Sequence, residues 1–207
     1  MNEYINYLSQ LIPKKDSLKI VKTESKKFYK GHTSHDCYKI YPVLWQSDNF
    51  QIQEVGVFLA GYIADEYPEC LDFLHNTVSQ HESWKVQETL AMSFDNYCAK
   101  IGYENALPTI KAWFADDIAN VRRAASEGLR VWTSRPFFKD HPQIAIDLLA
   151  SHKEDDSEYV RKSAGNALRD ISKKYPELVA DELNGWDLSS KKTMHVYKLA
   201  SRFIKSE

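Results

Sequence analysis

The chain has 207 residues, 43% of them hydrophobic, and only 7 Gly and 7 Pro interrupt it, so it can bury a substantial core as one or two domains. A formal net charge of −2 excludes a protein that draws nucleic acid through its overall charge, and leaves a local basic surface as the only electrostatic route. Cys37, Cys70 and Cys98 are too few and too scattered for a disulfide framework, and no run approaches about eighteen apolar residues, which excludes a membrane span and leads us to expect a cytoplasmic protein with reduced thiols.

Residues 1–12 carry a helical pattern (Tyr4, Ile5, Leu8, Leu11, Ile12) that Pro13 ends. Residues 14–39 form the most basic segment. Lys14, Lys15, Lys19, Lys22, Lys26, Lys27, Lys30 and Lys39 face only Asp16, Glu24 and Asp36, and Gly31 stops the helix that holds Ser25 to Lys30. Residues 32–49 read as irregular or short-helical, with Tyr38, Tyr41, Leu44 and Trp45 as core contacts. His32, His35, Asp36 and Cys37 supply ligand types but no second pair at a defined spacing, so neither a metal nor a cofactor is expected.

A repeat begins at residue 50. Ile52, Val86, Val121 and Val160 align at spacings of 34, 35 and 39 residues. Four residues later stand Gly56, Leu90, Ala125 and Ala164, and eight later Ala60, Phe94, Leu129 and Leu168, a helical stripe in each copy. Tyr67-Pro68-Glu69 and Tyr175-Pro176-Glu177 recur at the same offset, each Pro opening a new helix where its missing N–H costs nothing. Intervening helices are carried by Leu71, Phe73 and Leu74, by Leu107, Ile110, Trp113 and Phe114, by Ile144, Ile146, Leu148 and Leu149, and by Leu178, Val179 and Leu183. Trp186 and residues 190–204 close the end. Two helices per repeat imply an all-α, α-α superhelix, a HEAT-like solenoid. We expect one domain, with residues 1–49 as a helical cap and 50–207 as the array.

The central stretch Asn120–Trp132 shows how each aligned helix divides. Val121, Ala125 and Leu129 lie on one side, widened by Ala124 and Gly128, while Arg122, Arg123, Glu127 and Arg130 lie on the other. At offsets of two, six and nine from the aligned residue stand Glu88, Met92 and Asp95 in the second copy. The third has Arg123, Glu127 and Arg130, the fourth Lys162, Asn166 and Arg169, with Asp170 alongside. Trp84 lies one turn before Glu88. A solvated helix face accounts for such charges taken singly. Their coincidence at equivalent positions fits a shared groove in which a carboxylate and an indole sit among guanidiniums, suited to a cationic group on a phosphate backbone.

Ser83-Trp84-Lys85-Val86-Gln87-Glu88, Asn120-Val121-Arg122-Arg123-Ala124-Ala125, and Tyr159 to Asp170 followed by Tyr175-Pro176-Glu177-Leu178-Val179 resemble the HEAT-like DNA alkylation repair family, the AlkC/AlkD group of bacterial DNA glycosylases. The resemblance covers some three quarters of the chain. It implies a DNA glycosylase that excises cationic alkylated purines such as 3-methyladenine or 7-methylguanine from double-stranded DNA, as a monomer in the cytosol that joins the nucleoid when bound to DNA. Trp84 matches the family's aromatic and Glu88 its catalytic carboxylate, with Glu for Asp. Arg123 matches the following Arg, and Arg169 is kept. Asn166 replaces a second Trp, which leans toward the AlkC branch, where a downstream acid corresponds to Asp170. Glu88, Trp84 and Asp170 are thus the catalytic candidates. Arg122, Arg123, Arg130, Lys162, Asn166 and Arg169 are the DNA-binding candidates, with Lys26, Lys27 and Lys30 extending the grip. Two other readings stay open: a catalytically silent HEAT module that binds DNA, and a protein-binding HEAT scaffold.

Overall fold

The computed structural model of the protein describes residues 2–12 and 17–204, without the side chains of Asn2, Leu129, Val131 and Trp132. The expectations for Pro13, Lys14, Lys15, Asp16 and the Leu129 side chain therefore lie outside the described residues. Those residues form thirteen α-helices and two short 3-10 turns, with no strand among them. The fold is all-α and built of HEAT-like helix pairs. It divides into two compact units, residues 1–102 and 103–207.

In the first unit, α4 (Phe50–Ile63) is the centre. It packs against α2 (Leu18–Gly31), α3 (Ser34–Trp45), α5 (Pro68–Asn76) and α6 (Trp84–Ile101), and more lightly against α1 (Asn2–Leu11). That enclosure explains its composition. Ile52, Val55, Phe58, Leu59 and Ile63 are all buried, each worth about 1.5–3 kcal/mol of transfer free energy. Position 61 must be glycine, because a Cβ there would stand 2.6 Å from the Cβ of Ser93 on α6. The close approach of the two helices depends on it.

Residues 32–49, expected to be irregular or short-helical, hold the twelve-residue α3. Thr33 accepts the Asp36 N–H while the Asp36 carboxylate accepts the Thr33 N–H, a reciprocal cap at the start of α3 worth about 1 kcal/mol. Pro42 is inside the helix but exposed, so the helix bond it forfeits faces water rather than the core. Asp36 thus serves as a cap, Cys37 is fully buried, and His32 stacks on Phe28 at 3.9 Å between ring centres.

In the second unit, α8 (Ala119–Trp132), α11 (Glu158–Ser172) and α13 (Lys191–Ala200) lie side by side. Behind them run α7 (Tyr103–Phe114) on α8, and α10 (Pro142–Ala150) and α12 (Pro176–Asn184) on α11. A short α9 (Pro136–Asp140) precedes α10 and buries Phe138. It occupies the extra residues that stretch the third repeat spacing to 39. At Gly165 an added Cβ would meet Leu199 Cβ at 2.9 Å, so α13 can approach α11 only over glycine. The aligned stripe is the core throughout: Ile52, Val86, Val121 and Val160 have 0–1% exposure, and Gly56, Leu90, Ala125, Ala164, Ala60, Phe94 and Leu168 are buried. No helix among the described residues is long and apolar enough to cross a membrane.

Candidate functional site

In the first unit the candidate side chains stand at the start of α6. Trp84 opens the helix and is 60% exposed, so it is not a core aromatic. Glu88 follows one turn later on the same face. It is part-exposed and makes no hydrogen bond or ion pair among the described residues. The segment before α6 is held from within. The buried Gln87 amide donates to the carbonyl oxygens of Val78, Ser79 and His81 at 3.0, 3.1 and 2.7 Å. His81 Nδ1 accepts the Ser83 N–H at 3.0 Å, which leaves Nε2 to donate to Gln53 Oε1 at 3.1 Å. Burial lowers the His81 pKa against the opposing pull of Glu82, in keeping with the neutral ring these bonds need. The Lys85 ammonium lies between aromatic faces, 5.2 Å from the Phe50 ring centre and 5.7 Å from that of Trp84. The sequence singled out Trp84 and Glu88 but missed the framework under them, since Gln87 and His81 carry no motif of their own.

The second unit holds the remaining candidates, and three polar contacts in register join α8 to α11 and the loop before it. At the N-terminal end, Arg122 Nε and Nη2 donate to the two Asp155 oxygens at 2.7 and 2.8 Å, and Nη1 donates to the carbonyls of Asp116 and Asp117. In the middle, the Ser163 hydroxyl donates to Glu127 Oε1 at 2.8 Å. At the C-terminal end, Arg130 Nε donates to Asp170 Oδ2 at 3.3 Å and Arg130 Nη1 to Glu127 Oε2 at 3.0 Å. The order of these contacts makes the two helices parallel.

Arg122, one of the DNA-binding candidates, lies in this seam. Its side chain is 15% exposed against 5% for Asp155, and its fork fastens one repeat to the next. Arg161, at the equivalent place one repeat on, makes the same Nη1 contacts with the carbonyls of Asp155 and Asp156. Burial alone would raise the Asp155 carboxyl, but the Arg122 guanidinium and the Ser157 N–H hold it below its ordinary value. His152 lies beside this pair, stacked on Phe114 at 5.0 Å, and burial lowers its pKa.

Asp170, one of the catalytic candidates, lies at the other end of the seam. It is no free carboxylate, since Arg130, Arg169 and Lys173 all donate to it at 3.0–3.4 Å. Burial pushes its carboxyl up, and Lys173 with both arginines brings it below the ordinary value. By contrast Arg123, Lys162 and Asn166 are unburied and make no hydrogen bond or ion pair among the described residues. On α2, Lys26, Lys27 and Lys30 are exposed, Lys27 near Glu24 at 3.8 Å.

A family model for DNA alkylation repair enzymes matches residues 13–199. The chain belongs to that family. It is 45% identical to AlkD2 from Streptococcus mutans, whose crystal structure superposes with a TM-score of 0.94 over 99% of each chain. It is also similar to the uncharacterized protein YhaZ of Bacillus subtilis strain 168, at 30% identity over 152 residues, 70% of this chain. The chain spans 42% of the length of that curated relative. Pseudomonas fluorescens AlkC, an alkylpurine DNA glycosylase solved bound to DNA containing an abasic site analog, matches at 23% identity with a TM-score of 0.59, over 83% of this chain and 47% of that one. At that identity the likeness concerns the helical fold alone.

Proposed function

We propose that this member of the family binds double-stranded DNA and hydrolyses the N-glycosidic bond of a cationic alkylated purine, working as a monomer. The observation that carries the reading is the pairing, one turn apart on a braced helix start, of an exposed indole with a carboxylate that no cation among the described residues engages. The chemistry asks little more. An alkylated purine is already positively charged and leaves readily, so the charge to be stabilised develops on the sugar. The Glu88 carboxylate would stabilise that oxocarbenium-like centre and position or deprotonate the attacking water. Trp84 would offer its π face to the sugar or the cationic base. Arg123 and Lys162, with no partner among the described residues, would take phosphates and hold the duplex without reading its sequence.

A second reading is binding without excision. The replacement of the family's second aromatic by Asn166 and the pairing of Asp170 with three cations favour it. The two part on one experiment. Excision requires that the protein release methylated purine from alkylated duplex and that Glu88→Gln lose this while still binding. Tight binding with no release by the wild-type protein would establish the silent module instead.

A further inference from the structure

Asp170 is surrounded by more positive charge than it neutralises. Its Oδ1 accepts Arg169 Nε and Nη2 at 3.4 and 3.2 Å and Lys173 Nζ at 3.0 Å, while Oδ2 accepts Arg130 Nε. Glu127 takes one further N–H of Arg130 and is itself tied to Ser163. Three cations thus share two carboxylates. The distribution is uneven toward solvent as well. Arg130 and Lys173 are 38% and 52% exposed, whereas Glu127 and Asp170 are 21% and 20% exposed. The acids lie inside and two of the cations form the rim. Arg130 Nη2 and Arg169 Nη1 donate to nothing among the described residues. Lys173 is also steered from its far side, 5.0 Å over the Phe203 ring. Two guanidiniums and an ammonium would repel one another and splay without an anion between them.

The geometry points to an anion site at the C-terminal ends of α8 and α11, in which Asp170 is a positioning residue that gathers Arg130, Arg169 and Lys173 so that their outward N–H groups take a phosphodiester of the DNA backbone. This rests on the reading that the chain binds DNA, not on excision. It makes a counterintuitive claim: a carboxylate near the phosphates strengthens binding, because the array it organises is worth more than the repulsion it adds.

The sign of one effect tests it. Binding of an undamaged, fluorescently labelled duplex is measured by anisotropy at several salt concentrations. Asp170→Asn should weaken binding several-fold although it makes the protein more positive, and Lys173→Ala, at an exposed site, should lower the salt slope by about one with an unchanged melting temperature. Equal or tighter binding by a folded Asp170→Asn, or an unchanged slope in Lys173→Ala, would overturn the site. If Asp170→Asn does not fold, the Lys173→Ala slope decides alone. Wild-type protein that binds duplex, shows these shifts and releases no methylpurine would overturn excision and leave the anion site standing. Wild-type protein that does not bind duplex would overturn both.

Discussion

The start of α6 and the α8–α11 seam both carry side chains at the aligned positions of successive repeats, yet they are put to opposite uses. Along the seam, Asp155 engages Arg122, and Glu127 and Asp170 engage Arg130, contacts that tie neighbouring repeats together. At α6, Trp84 and Glu88 are left open, and the inward-facing Gln87 and His81 do the holding. The difference lies in one step of register. Arg122 and Arg161 sit one residue after the aligned core position and curl back to the preceding loop. Glu88, Arg123 and Lys162 sit two after it and reach water.

If that contrast is right, the largest stability effect should come from Asp155→Ala. It would strand the nearly buried Arg122 guanidinium and cost on the order of 3 kcal/mol, read from denaturant midpoints, with DNA affinity changed only through lost folded protein. Gln87→Ala comes next. Losing its hydrogen bonds to three backbone carbonyls should cost about 2 kcal/mol, and here activity should fall too, because the platform under Trp84 and Glu88 loosens. A full-rate, stable Gln87→Ala protein would separate the platform from the site. Acid should act in the same direction with a smaller effect. His81 and His152 both have pKa values lowered by burial, so the unfolded chain binds more protons. Their contribution to stability is intact above about pH 6.5 and declines as the pH falls toward the lowered folded-state values. Urea titrations at pH 8 and pH 5 check this, and His152→Gln should flatten part of the loss. Smallest in stability is Arg123→Ala, within about 0.5 kcal/mol of the wild type. It should instead lower the salt slope of DNA binding by about one, equally for unrelated sequences. The neighbouring pair Arg122 and Arg123 thereby sharpens the comparison most: one residue matters to folding, the next to binding.

The repeat was legible because burial leaves a period. Ile52, Val86, Val121 and Val160 and the residues one turn beyond them are core, and the prolines open helices where the Tyr-Pro-Glu copies place them. The twelve-residue length of α3 was less legible than the repeat, since the short-helical reading of residues 32–49 set no bounds and the helix carries Pro42 inside it. The sequence also could not separate Arg122 from Arg123. Both fall off the apolar stripe, and only the Asp155 carboxylate, 33 residues away, decides which one is engaged. Asp170 posed the same difficulty, because a carboxylate beside arginines reads alike as a catalytic acid and as an anchor for cations.

The central claim is that the open face of α6 performs chemistry. The most direct test is release of 3-methyladenine and 7-methylguanine from methylated duplex DNA by the wild-type protein and by folded Glu88→Gln, with duplex affinity measured on the same samples. Release by the wild type alone, at matched affinity, is the predicted result. Equal release by both proteins, or release by neither, would contradict it.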